Sequence, residues 1–312
     1  AKVDRPGAFT VPAKTFVDYI HLLPDEQVVV DLEGSEIKIT GGDSETKIKG
    51  APADEFPILP EIEEEHAYTL SSKILASALE KTVIAAAKNE IRPELSGVYF
   101  GFFTERYPGL LLAATDSYRL AEARVPVEQG SDMVSCIVPS RTVFEMIRLF
   151  SLVKSGEPVR LWVSAHQIAI RYESFELTSR LVDGKYPDYA QIIPTAVKTS
   201  AVFPVDIMRN KIKAASIFTT TGVNAVAFDV KAGEKTVAVS SMSSQTGEHA
   251  SEIDAEVTGE ENSILLNHRY VLDGLSHMAG DAELQINSGE APCLFRERGS
   301  VEYVYIVMPI RQ

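Results

Sequence analysis

The chain has 312 residues, 45% hydrophobic and 24% charged, enough for two or three domains that each bury a core of their own. No apolar run approaches the roughly 20 residues of a membrane helix, and the opening AKVDRPGAFT does not read as a signal peptide, so a cytoplasmic protein with no membrane partner is expected. The formal charge of −14 argues against general affinity for nucleic acid, although it averages over the whole chain and leaves room for a cationic face.

The two cysteines, Cys136 in VSCIVP and Cys293 in APCLFR, sit in apolar strand-like runs and read as buried free thiols. The histidines, at 21, 66, 166, 249, 268 and 277, form no HxH or HxxxH pair. No metal site and no cofactor are expected.

Taken in order, the elements repeat. VPAKTFVDYI (11–20), VPSRTVFEMI (138–147) and LNHRYVLDGL (266–275) align without gaps. Each has a base at the fourth place (Lys14, Arg141, Arg269) and an acid at the eighth (Asp18, Glu145, Asp273), and the intervals between them are 127 and 128 residues. Alternating strands follow each segment, as in Val159, Leu161 and Val163. A second helical pattern, TLSSKILASALEKTVIAAA (69–87), opens the middle unit, and PVDIMRNKIKAASI (204–217) opens the last. Helices are thus expected over 12–24, 69–92, 139–150, 204–216 and 267–278, each followed by antiparallel strands. The first unit has no such opening half, and a complete copy would need about 60 more residues before Val11, by the spacing of its neighbours.

The expected fold class is α+β, with helices on one face of antiparallel sheets. The expected domains are 1–66, 67–195 and 196–312. The five helical stretches hold eleven bases (Lys14, Lys73, Lys81, Lys88, Arg92, Arg141, Arg148, Arg209, Lys211, Lys213, Arg269). They hold six acids (Asp18, Glu80, Glu90, Glu145, Asp206, Asp273). Helices are therefore cationic in an acidic chain. A solvated helix face would also be lysine-rich, but so would one turned toward a polyanion.

ATDSYRLA (114–121), RLVDGKYPDY (180–189) and the terminal YIVMPIRQ (305–312) complete the pattern. With them the chain resembles the bacterial DNA polymerase III beta subunit family, the sliding clamps, over essentially its whole length. The resemblance implies three similar domains per protomer and a head-to-tail homodimer closed around double-stranded DNA. Twelve helices about 9 Å apart span a circle about 34 Å across and leave a hole near 24 Å; ten leave about 19 Å. The resemblance also implies no catalysis, and a role as processivity factor for the polymerase.

By the same resemblance, a groove receives linear peptides from the polymerase alpha subunit, the clamp loader, other polymerases and repair proteins. Its residues here would be Leu95, Thr115, Ser117, Tyr118, Arg119, Leu120, Pro187, Gln191, Ile192, Pro292, Ile306, Val307, Met308, Pro309, Ile310 and Arg311. Leu120, Pro187, Ile192, Ile306 and Met308 offer an apolar floor. Gln191 and Gln312 are polar where some relatives carry a basic and an apolar residue. Lys14, Lys88, Arg92, Arg141 and Arg148 would face DNA. Phe56 would meet Ile217 and Phe218 of a second copy.

Two rivals stay open. An enzyme is one, although GxSxG, GxxxxGK and HExxH are absent and EIEEEH (61–66) reads as an acidic linker before a metal cluster. A repeat-built scaffold that binds proteins and no DNA is the other.

Overall fold

The computed structural model describes residues 2–23, 27–57, 61, 62, 64–89, 91–152, 156–220 and 222–311. Glu63, Glu90 and Gln312, named above, lie outside them. The chain divides into two compact units, 1–61 and 62–312.

The first unit runs β1 (Phe9–Thr10), α1 (Ala13–Ile20), β2 (Val28–Glu33), β3 (Glu36–Gly41), β4 (Ser44–Lys49) and β5 (Ala51–Pro52). β2, β3 and β4 form an antiparallel sheet in that order, and β1 pairs β5. Strict alternation on β3 turns Ile37 and Ile39 inward, where they meet Ile48, and Phe16, Tyr19 and Ile20 of α1 close over them.

The second unit carries the repeat twice. Its first half comprises β6 (His66–Ser71), α2 (Ser72–Val83), β7 (Gly97–Thr104), β8 (Tyr107–Thr115), β9 (Arg119–Val125) and β10 (Val134–Pro139). It continues with α3 (Ser140–Leu152), β11 (Pro158–Val163), β12 (Gln167–Tyr172) and β13 (Phe175–Arg180). The second half comprises β14 (Thr199–Pro204), α4 (Val205–Ser216), β15 (Ala225–Lys231), β16 (Thr236–Ser243), β17 (Gly247–Asp254), β18 (Glu256–Gly259) and β19 (Asn262–Asn267). It ends with α5 (His268–Leu275), β20 (Asp281–Ile286), β21 (Cys293–Glu297) and β22 (Tyr303–Val307). Apart from the short β18, the order is the same. The predicted fold class, repeated α+β units with helices against antiparallel sheets, is the one observed.

Two four-stranded sheets, β13-β12-β11-β6 and β17-β16-β15-β19, belong to one half each. The third sheet has nine strands and crosses both halves: β10-β7-β8-β9-β22-β21-β20-β14-β18. Its middle joint is β9 against β22, antiparallel, from Ala123 opposite Tyr303 to Arg119 opposite Val307. This joint is what brings the β8–β9 turn to the end of the chain. Beneath the sheets, α2 packs on α3 and α4 on α5, and each pair buries its apolar stripe, for example Leu75, Leu79 and Val83 of α2 and Met208 and Ile212 of α4. Gly274 of α5 lies so near Tyr305 that a Cβ there would sit 2.3 Å from the ring.

α1, α4 and α5 fall within the ranges expected from periodicity, and α3 runs past its range to Leu152. α2 corrects the expectation: it is shorter than its range, ending at Val83, and 69–71 belong to β6. Ser71 caps the helix by accepting from the Ile74 amide. At the other end the Thr82 hydroxyl bonds back to the carbonyls of Ala78 and Leu79, the last amides reach only three residues back, and the Ala87 amide is taken by Leu95. Lys88 and Arg92 therefore stand on a loop. Among the described residues, the five α-helices hold nine bases and five acids, still a cationic balance. Both cysteines are free; burial pushes each thiol up to about 12. No described helix is long and apolar enough to cross a membrane.

Candidate partner-binding site

The turn between β8 and β9 is built by its own polar residues. Asp116 accepts from the amides of Tyr118 (3.0 Å) and Arg119 (3.1 Å), and the Thr115 hydroxyl donates to the Arg119 carbonyl (2.6 Å) while accepting from the Ser117 amide. Ser117 adopts the left-handed backbone region, φ 77°. Side-chain oxygens thus replace the backbone ladder at the turn, which is why Thr, Asp and Ser stand where a hairpin usually places Asn-Gly. The consequence is an outward Tyr118, 63% exposed, on a rigid base.

Arg119 turns the other way and is buried. Its guanidinium donates to Asp116 (3.0 Å), to Asp273 of α5 (2.5 Å) and to the Tyr305 hydroxyl (3.3 Å), and it lies 4.5 Å from the Tyr270 ring centre. Two carboxylates and two aromatic rings offset its desolvation and hold it charged, and burial pushes the Tyr305 hydroxyl above its usual range. Met308 follows β22, and its amide donates to the Tyr118 carbonyl at 2.9 Å. Further along, the Ile310 amide donates to Leu265 of β19 at 2.8 Å. The C-terminal tail is therefore laced across both the turn and the last repeat.

The turn, the 87–95 segment and the start of α5 border a cavity of about 620 Å³, which the C-terminal tail does not line. Leu95, Ser117, Tyr118 and Arg119 line it, as do Asn267, Arg269, Tyr270 and Asp273 at the start of α5. Lys88 and Arg92 border the same space; Arg92 pairs with Glu94 at 2.9 Å. The sequence reading missed the α5 residues, although they belong to the repeated segment LNHRYVLDGL.

The predicted apolar floor requires correction. Leu95, Leu120 and Ile306 form one buried cluster with Ile192 packed against it, and Thr115 and Val307 are buried as well. Leu120 and Ile306 face each other in the β9–β22 register, so they serve the sheet joint and lie under the surface. The accessible part is Ser117, Tyr118, Pro187, Gln191, Ile192, Met308, Pro309, Ile310 and Arg311. Pro187 borders a separate, smaller cavity, and Pro309, Ile310 and Arg311 border another beside β19. Pro292 is half-buried just before β21.

Of the other predicted residues, Lys14 and Arg141 are exposed near the starts of α1 and α3, and Arg148 is exposed but paired with Glu145 at 3.3 Å. Phe56 and Ile217 are exposed apolar residues, and Phe218 stacks on His249 of β17 at 5.9 Å.

The protein is thus a repeated α+β scaffold whose central sheet runs through two repeats, with a cleft at the joint. Residues 1–60, 69–188 and 190–311 match, in that order, the N-terminal, central and C-terminal domains of the DNA polymerase III beta subunit. The chain is 29% identical to the beta sliding clamp of Synechococcus elongatus, covering 100% of itself and 83% of that protein. It is 31% identical to the beta sliding clamp of Streptococcus pneumoniae over 86% of this chain and 70% of that one. The DNA polymerase sliding clamp from Bacillus subtilis superposes with a TM-score of 0.91 at 28% identity, covering 100% of this chain and 82% of that structure.

The chain belongs to the DNA polymerase III beta subunit family, the beta sliding clamps. Its role is that of a non-catalytic processivity subunit in DNA replication. These matches do not support the further expectation of a first unit short by half, since they assign residues 1–60 to the N-terminal domain.

Proposed function

We propose that this chain works as a head-to-tail homodimer that encircles double-stranded DNA and tethers its partners through the cleft between the 115–119 turn and the C-terminal tail. The domains are 1–66, 67–195 and 196–312. The observation that carries the reading is the Met308–Tyr118 hydrogen bond: two segments 190 residues apart are fixed side by side and leave Tyr118 and the half-buried Met308 available together. A peptide with two apolar anchors, each contributing about 1.5–3 kcal/mol on burial, plus a few hydrogen bonds reaches the roughly 8 kcal/mol of micromolar binding. Exchange among the polymerase alpha subunit, the clamp loader and repair proteins needs that modest affinity.

Self-association uses sheet edges. β17 is an outer strand of its sheet and carries Glu248, Glu252 and Asp254, whereas β4 is an outer strand of the first unit's sheet and carries Lys47 and Lys49 beside Glu45, with Lys47 held by Glu33 and Glu36. An exposed edge invites pairing, and the acidic β17 is matched better by this mixed edge than by a second β17. Phe56 of one copy and Ile217 with Phe218 of the other flank it as the apolar contact. Lys14, Lys88, Arg92, Arg141 and Arg148 meet DNA phosphates without reading sequence, so sliding is unhindered.

Fluorescence anisotropy with a short Leu-Phe peptide tests the cleft. Micromolar binding that weakens at least tenfold in Met308→Asp and Tyr118→Ala is the expected result. Equal binding by the parent and both variants would place the peptide elsewhere.

A further inference from the structure

A cavity of about 190 Å³ borders Pro187 and stands apart from the α5 cleft. It is far smaller than the several hundred Å³ of a drug-sized ligand site, so its size suits one side chain. Three tyrosines wall it. Tyr99, Tyr186 and Tyr189 contact one another with ring centres 5.3, 6.2 and 6.2 Å apart, the last two pairs edge-on. Tyr186 and Tyr189 also pack in the buried cluster with Leu95, Leu120 and Ile306. The cavity wall and the β9–β22 sheet joint beneath the 115–119 turn are therefore one continuous piece of core.

The charges at this cavity are unequal in their freedom. Arg106 is committed: it pairs with Glu122 at 2.8 Å and lies 5.1 Å from the Tyr189 ring centre, and Glu122 is only 2% exposed. Asp188 is engaged by the Gln191 amide at 2.9 Å. Lys185 is exposed and has no ion-pair partner among the described residues. Glu122 balances Arg106, and of the two remaining charges of the lining Asp188 is held by Gln191 while Lys185 has no ion-pair partner among the described residues. Lys185 is therefore the group of this cavity that suits a negatively charged partner.

Building on the peptide cleft proposed above, we infer that this cavity is a separate subsite for an acidic side chain flanking the apolar anchors of the bound peptide. The carboxylate pairs with Lys185 at the mouth, and its methylene stem lies on the tyrosine faces. The pair is half-shielded by aromatic walls, so it adds modest affinity and selects among peptides that share the same anchors.

The test compares three peptides by anisotropy: the Leu-Phe peptide alone, the same peptide with a flanking Asp or Glu at either end, and the same peptide with a flanking Phe. The acidic extension at one end is expected to tighten binding about three- to fivefold. Lys185→Ala removes that gain and leaves the unextended peptide unchanged, and Lys185→Glu turns the gain into a loss. An acidic gain that survives in Lys185→Ala, no acidic gain at all, or a gain confined to the Phe extension would each overturn the subsite. Failure of every peptide to bind would overturn the cleft itself, a different outcome from binding without discrimination.

Discussion

Arg119 of β9 and Asp273 of α5 form an ion pair, Nη1 to Oδ2 at 2.5 Å, that joins the two repeats of the second unit. The same two residues line the cleft on one side and, with Phe144 and Arg141, a neighbouring cavity of about 600 Å³ on the other. The cleft beside α5 and the joint between repeats therefore share one bond. In the equivalent place of the preceding repeat, Glu145 pairs with Arg148 of its own helix, so the repeated acid has a different use in α5.

Unequal costs should follow from removing each partner. Asp273 is about half exposed and Asp116 remains beside Arg119, so Asp273→Asn costs about 1 kcal/mol. Arg119→Met strips a buried cation from both carboxylates and from Tyr305, and costs about 3 kcal/mol. Urea unfolding measures both, and the ordering is the prediction. Each variant should also weaken the Leu-Phe peptide, because the turn loses its anchor.

Gly274→Ala tests the contact of α5 with β22. The new methyl would meet the Tyr305 ring at 2.3 Å, inside a packed core where a ring cannot swing aside. Overpacking of this kind costs about 1–3 kcal/mol, although alanine is the better helix former by about 1 kcal/mol. A fall in the unfolding midpoint is expected; a rise would show that α5 stands off the sheet.

Stability of the second unit should fall with acid as the pH drops below the ordinary histidine value of about 6.5. Burial lowers the proton affinity of His277, against a smaller opposing pull from Glu80, and burial together with Arg269 lowers that of His268. Both therefore bind protons more weakly folded than unfolded. Their contribution is full above the unfolded histidine value near 6.5 and is lost as the pH drops below it toward the folded values. Unfolding midpoints at pH 7.5, 6.5 and 5.5 check this, and His277→Gln should flatten the slope.

Much of the repeat was legible because its signals are local. A base, an acid and apolar residues at fixed places in three segments predicted α1, α3 and α5, and alternation in stretches such as Val159, Leu161 and Val163 predicted the strands between. What misled was also local. Ala85, Ala86 and Ala87 favour helix by propensity, yet the first two are held in the core and the third gives its amide to Leu95, a partner that only the tertiary structure supplies. The cleft was half legible: Tyr118 and Met308 stand at the surface, but Leu120 and Ile306, read as its floor, oppose each other within the sheet joint. No periodicity in one strand reveals which neighbour will cover it.

The central claim is that enclosure, not adhesion, keeps the protein on DNA. It is tested by loading the protein with its clamp loader onto nicked circular DNA and measuring retention before and after one double-strand cut, at a salt concentration that suppresses loose cationic binding. Retention on the intact circle and rapid loss from the linear product are predicted. Equal retention on both forms would contradict it.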